Sequence, residues 1–222
     1  MSIEKLGITR LTEEERESLK AKELEETKKI QDQHNAEFVK YSLEVCNVPK
    51  RYFTATLEPI SDEQGQVIDK ISKALHSTPT RDVLLLGGVG VGKTHIACAI
   101  VLKFNHAMLF SKYITEFELF ELYSQKKYGF FEGFKQAKFL VIDEIGKHDS
   151  ATWQRAQLEE VISYRYDNEL PTMYLSNLNA DAFKAYVGDR ASDRMRGNNV
   201  SLIVMGGDSL RSTAKINNGG VT

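Results

Sequence analysis

The chain has 222 residues, with 29 Lys plus Arg against 31 Asp plus Glu, a formal net charge of -2 and a sequence pI near 6.2. Hydrophobic residues make up 41% and charged residues 27%, which allows one ordinary core plus an appendage and excludes disorder throughout. No apolar run approaches the ~20 residues of a membrane span and the N-terminus lacks a signal peptide's apolar segment, so secretion and membrane insertion are not expected. The only cysteines, Cys46 and Cys98, can form neither a disulfide framework nor a Cys-rich zinc site, and a reducing cytoplasm is the expected compartment. With a net charge near zero, any nucleic-acid contact must come from a local basic patch.

Residues 1–40 hold 8 basic and 10 acidic side chains, and residues 41–222 hold the other 21 of each sign, so the appendage is N-terminal. Thr12 followed by Glu15 forms a capping-box pattern, and no Pro or Gly follows until Pro49, which predicts a charged helix over about 12–45. Its apolar residues (Leu19, Leu24, Ile30, Phe38, Tyr41, Leu43, Val45) form a stripe too thin for a core of its own. A solvated arm or linker and a partner-docking element both fit. The expected domains are a helical arm over 1–46 and a catalytic domain over 47–222.

Beyond Pro49 the pattern is that of an α/β domain. A helix is predicted over 62–76 and a buried strand over 83–86. Then follow a helix over 93–105, a strand over 107–111, a helix over 114–128, a strand over 139–142, a helix over 152–167, a strand over 172–176, a helix over 180–186 and a strand over 200–205. Strands separated by helices imply a parallel sheet covered on both faces, with the ligand beyond the carboxyl ends of the strands.

Gly87, Gly88, Val89, Gly90, Val91, Gly92, Lys93 and Thr94 match G-x-x-x-x-G-K-[ST], placed after a strand and before a helix. Glycines turn successive amides inward around a β-phosphate, Lys93 reaches the β- and γ-phosphates, and Thr94 is a ligand for Mg²⁺. His95, next in the chain, is counted with this nucleotide-binding loop but given no chemistry of its own. About fifty residues on, an apolar run ends in Asp143 and Glu144, a Walker B arrangement: Asp143 for Mg²⁺, Glu144 for polarising the attacking water. A general base beside the metal favours hydrolysis of ATP to ADP and phosphate. Asn177, at the end of the strand over 172–176, is placed to orient that water or to touch the γ-phosphate. Arg190, Arg194 and Arg196 follow on a short helix, and Arg211 lies beyond the last strand.

The segments GGVGVGKTH, FLVIDEIG, YLSN, GDRASDRMR and GDSLRS, in this order and with the lead-in NVPKRYFTATLE, resemble the AAA+ core of DnaC-type replicative helicase loaders. The resemblance covers roughly 47–215 and implies a P-loop NTPase fold with a parallel sheet. It implies that Asn177 is sensor I, Arg194 the arginine finger and Arg211 the sensor II residue. The implied cofactors are ATP and Mg²⁺. The implied partners are a hexameric DnaB-type helicase, single-stranded DNA and further copies of the ATPase domain. IstB-type transposition helper ATPases share much of this core and are the alternative; a P-loop small-molecule kinase and a nucleotide-dependent scaffold stand behind them. For DNA contact the candidates are Lys126, Lys127 and Tyr128, where charge and aromatics interleave, while Phe117, Leu119, Phe120 and Leu122 are expected to pack on the sheet.

Overall fold

The computed structural model describes residues 12–77, 82–148, 151–195, 200–207 and 209–210. The chain separates into two units, 1–41 and 42–222. In the first, residues 13–41 belong to helix α1 (Glu13–Val45). The capping box forms: the Thr12 amide donates to Glu15 Oε2 at 2.8 Å and the Glu15 amide donates to Thr12 Oγ1 at 3.3 Å. Leu19, Leu24, Ile30 and Tyr41 are all exposed, as a stripe too thin to build a core requires.

The second unit is built on five parallel strands: β1 (Asp82–Gly87), β2 (Ser111–Thr115), β3 (Phe139–Ile145), β4 (Thr172–Ser176) and β5 (Val200–Met205). They stand in the order β2-β3-β4-β1-β5. The runs of β1, β3 and β4 are apolar at successive positions because both of their faces are covered, while Leu202 and Val204 of β5 are exposed. Val83 and Leu85 pack with Val67 and Ile71 of α2 (Asp62–Leu75) and with Ile96, Ala97 and Val101 of α3 (Lys93–His106). Leu84 and Leu86 face the other way, into a core shared by α4 (Glu116–Ser124), α5 (Tyr128–Lys135), α6 (Thr152–Asp167) and α7 (Ala180–Arg194). Each fully buried aliphatic side chain stabilises the fold by about 1.5–3 kcal/mol.

Several element boundaries differ from the sequence expectation, and β3 runs to Ile145, three residues past the expected end at 142. The strand expected over 107–111 begins only at Ser111. Asn105, at the end of α3, accepts the Ser111 amide at 2.9 Å and donates to the Ser111 carbonyl at 2.9 Å, while Met108 adopts φ 64°, so the intervening residues form a turn. The helix expected over 114–128 is two helices, because Ile114 stays in β2 and Thr115 caps α4 reciprocally with Glu118. Lys126 at φ 58° then breaks the path before α5. The helix expected over 180–186 extends to Arg194, through a non-helical Gly188 at φ 84°. Phe117, expected on the sheet, is 51% exposed, whereas Leu119 and Phe120 are buried as expected.

Candidate active site

The order of strands decides which loops meet. β4 lies between β1 and β3, so the loops leaving β1, β3 and β4 open side by side at the carboxyl edge of the sheet. There they line a cavity of about 490 Å³, with Val89, Gly90, Gly92, Lys93, Thr94 and His95 from the loop after β1, Asp143, Glu144 and Lys147 from β3 and its exit, and Ser176 and Asn177 from β4. The opposite wall is Tyr52, Glu58, Ile60 and Gln64.

The glycine loop needs glycine for two separate reasons. Gly90 has φ 86° and Gly92 φ 102°, both left-handed, and a Cβ at Gly90 would overlap the Ser209 hydroxyl. Gly92 is the N-cap of α3, so the positive end of that helix opens into the cavity. Lys93, only 7% exposed, donates from Nζ to the carbonyls of Gly87 and Gly88 and to Asn177 Oδ1, each at 2.7 Å. Burial pulls its pKa below the usual lysine range, and the nearby Asp143 charge partly opposes that. Gly87 and Gly88 therefore act through their carbonyls. Val91 is a core residue and does not line the cavity.

Asp143 is 3% exposed and fully engaged. Its Oδ2 accepts from Thr94 Oγ1 at 2.7 Å and from the Tyr113 hydroxyl at 2.8 Å, and its Oδ1 accepts from the Glu144 amide. Burial still raises its pKa above the ordinary carboxyl value, with these donors working against the rise. Asp143 and Glu144 occupy a bulge: Ile142 pairs with Tyr174 and Ile145 with Ser176, so two residues of β3 oppose one of β4. Glu144 takes the left-handed conformation at φ 60°, and its carboxylate meets Lys147 Nζ at 2.8 Å. A non-glycine residue held in this region marks strain retained by its surroundings.

Thr94 and Asp143 offer hard oxygens of the kind Mg²⁺ takes alongside phosphate oxygens and water. Among the described residues no group of three or more His, Cys, Asp or Glu side chains stands ready to hold a metal alone. The donor set thus fits a cation that arrives with a nucleotide.

Of the remaining expected site residues, only His95 reaches the cavity among the described residues. His95 lines the cavity, with Nε2 3.1 Å from the Thr56 carbonyl and its ring edge-on to Tyr52. Arg194, at the end of α7, does not line this cavity. Lys126 and Lys127 lie in the exposed turn between α4 and α5 and Tyr128 opens α5, none of them lining the cavity, with Tyr128 edge-on to Tyr123. Arg196 and Arg211 lie outside the described residues. Sequence reasoning missed Tyr113, Lys147 and the wall formed by Tyr52, Glu58 and Gln64. Tyr113 carries no motif, and only the pairing of β2 with β3 brings it to Asp143.

Comparison with known proteins places this geometry in a family. The sequence profile of the IstB-like ATP binding protein family matches residues 22–217. The replicative helicase loader DnaC of Escherichia coli strain K12 is 28% identical over 136 residues, 57% of this chain and 54% of the loader. DnaC of Buchnera aphidicola subsp. Acyrthosiphon pisum is 30% identical over 143 residues, 59% of this chain and 56% of the relative. The chain thus spans about half the length of the curated relatives it matches. The crystal structure of the DnaC helicase loader superposes with a TM-score of 0.62 at 21% identity, over 71% of this chain and 99% of that one, which establishes a common fold.

Proposed function

Because the chain belongs to the IstB-like ATP-binding family, we propose that it hydrolyses ATP and uses the cycle to deliver a hexameric DnaB-type replicative helicase onto single-stranded DNA. The observation that carries the hydrolytic part is the convergence of Lys93, Thr94, Asp143, Glu144 and Asn177 on one cavity. In this reading the loop amides and Lys93 hold the β- and γ-phosphates. Thr94 and Asp143 hold Mg²⁺, which offsets charge on the phosphate oxygens. Glu144 takes a proton from water as its oxygen bonds to the γ-phosphorus and the bond to the β-γ bridging oxygen breaks. ADP and phosphate leave. Asn177, already bound to Lys93, orients the water.

The helicase part is supported by the likeness to the DnaC relatives, which are replicative helicase loaders. In this scheme the arm of residues 1–46 docks the helicase, the domain over 47–222 carries the chemistry and self-association, and Lys126, Lys127 and Tyr128 touch single-stranded DNA by charge and stacking. No helix among the described residues is long and apolar enough to cross a membrane, and we assign the protein to the cytoplasm.

The test is helicase loading on circular single-stranded DNA, with purified protein, ATP and a DnaB-type hexamer. Retained DNA-bound helicase that requires ATP, and is lost on deleting residues 1–41, is the expected result. Removing both Lys126 and Lys127 should lower DNA affinity and reduce the salt slope by up to about 0.7 per lost phosphate contact. Membership of the IstB-like ATP binding protein family keeps a second reading open, a transposition helper of the IstB type. ATP-dependent capture of a transposase in place of the helicase would establish it.

A further inference from the structure

Glu116 is 3% exposed, stands in the first turn of α4 and has no place in the nucleotide cavity. One of its oxygens, Oε2, accepts two hydrogen bonds: from the Gly146 amide at 3.0 Å and from the Tyr186 hydroxyl at 3.0 Å. Its other oxygen, Oε1, is buried with no hydrogen-bond partner among the described residues. A carboxylate set in the core with half its capacity unused is costly, and burial pushes its pKa up to about 7. Its partners explain why it is there.

Gly146 lies two residues after Glu144, on the exit of the bulge. The backbone around Glu144 is pinned at three points by side chains: Asp143 accepts the Glu144 amide, Ser176 Oγ donates to the Ile145 carbonyl at 2.6 Å, and Glu116 accepts the Gly146 amide. Gly146 also abuts Leu178, the neighbour of Asn177, and the Tyr186 ring, closely enough that a Cβ there would collide with Leu178. Tyr186 belongs to α7, the helix that ends at Arg194, and the Arg155 guanidinium of α6 lies 5.7 Å from its ring centre.

We infer that Glu116 is a positioning residue for the base: it holds the strained Glu144 loop in place through Gly146 and fastens that loop to α7 through Tyr186. The inference rests on the hydrolytic reading, in which Glu144 is the base. Under it, the site that activates water and the segment of α7 before the Gly188 interruption share one acceptor oxygen, so displacement of that segment reaches the Glu144 loop by two hydrogen bonds.

Steady-state ATPase kinetics on the full chain test this. Glu116→Ala leaves both donors unmet and should lower kcat about tenfold while KM for ATP stays within about twofold, because the loss is of alignment rather than binding. Glu116→Gln keeps an acceptor oxygen and should restore kcat to within about threefold of the parent. Tyr186→Phe removes only the link to α7 and should cost about threefold to tenfold in kcat, and it carries the test if Glu116→Ala does not fold. An unchanged kcat in Glu116→Ala or in Tyr186→Phe, no rescue by Gln, or a rise in KM in step with the fall in kcat would overturn the proposal. If the parent protein shows no turnover, or Glu144→Gln retains it, the hydrolytic reading itself has failed. A parent that hydrolyses and a dead Glu144→Gln, beside a fully active Glu116→Ala, sinks only the role of Glu116.

Discussion

The hydroxyl of Tyr113 donates to the same oxygen of Asp143 that receives the Thr94 hydroxyl, at 2.8 and 2.7 Å. Burial and the adjacent Asp143 charge drive the Tyr113 pKa far above its normal value, so the phenol stays protonated and remains a donor. A hydrogen bond of this kind fixes the orientation of a metal-binding carboxylate, and losing it typically costs about 10–100-fold in metal affinity. Tyr113→Phe should therefore raise the Mg²⁺ concentration needed for tight binding of a fluorescent ATP analogue by about tenfold. Binding in EDTA should not change, and stability should fall by only about 1 kcal/mol. An unaltered Mg²⁺ requirement would leave Tyr113 as a packing residue.

Lys93 and Glu144 should separate binding from turnover. Lys93 delivers its charge from a buried position secured by three oxygens, and Lys93→Ala should abolish ATP binding. Glu144 meets Lys147 rather than any phosphate-loop group. Glu144→Gln should therefore bind ATP normally and lose about 10²–10⁴ in kcat, the usual contribution of a general base. Equilibrium binding beside steady-state turnover checks both, and equal loss of affinity in the two variants would remove Glu144 from the role of base.

How far the sequence disclosed this depends on whether a residue's task is local. The runs ending at Gly87 and Asp143 announce themselves because a strand buried on both faces must be continuously apolar, and the loop after it must turn tightly. Asn177 was readable for the same reason, as the first polar residue beyond β4. The start of β2 was not, because the Asn105 amide, six residues earlier, binds the Ser111 backbone and closes a turn that no spacing announces. Nor was the extent of α7, since the Gly188 interruption reads as a stop while the chain resumes its helix to Arg194. Tyr113 and Glu116 were invisible as site residues because they act across β2·β3 pairing and α4·α7 proximity, which no spacing along the chain encodes.

Asp82 predicts a pH dependence of stability. It opens β1, accepts the Thr172 amide at 2.8 Å, and burial raises its pKa to about 6 despite the opposing Arg165 charge. The folded state therefore binds a proton that the unfolded chain, with a carboxyl near its ordinary value of about 4, releases more readily. The contribution is full below about pH 4 and is lost as pH rises through about 6. Asp82→Asn, whose amide oxygen still accepts from Thr172, should flatten the change in Tm between pH 5 and pH 7 relative to the parent, checked by thermal unfolding. A slope identical to the parent's would place the titration elsewhere.

We propose that the role of Arg194 depends on a second copy. It closes α7 and does not line the cavity of its own chain, and in the proposed scheme its contribution to hydrolysis is made to a neighbour's nucleotide. A guanidinium that meets charge developing on the γ-phosphate is worth on the order of 10³–10⁵ in rate in GTPases. Arg194→Ala should bind ATP almost normally and hydrolyse it poorly. Mixing it with Glu144→Gln should restore part of the activity, because some interfaces then pair an intact base with an intact arginine. Turnover of the parent should also rise with protein concentration as copies assemble. The measurement is specific ATPase activity against total protein for the parent, each variant and the mixture. Activity independent of concentration, with no recovery on mixing, would return Arg194 to a structural part at the end of α7.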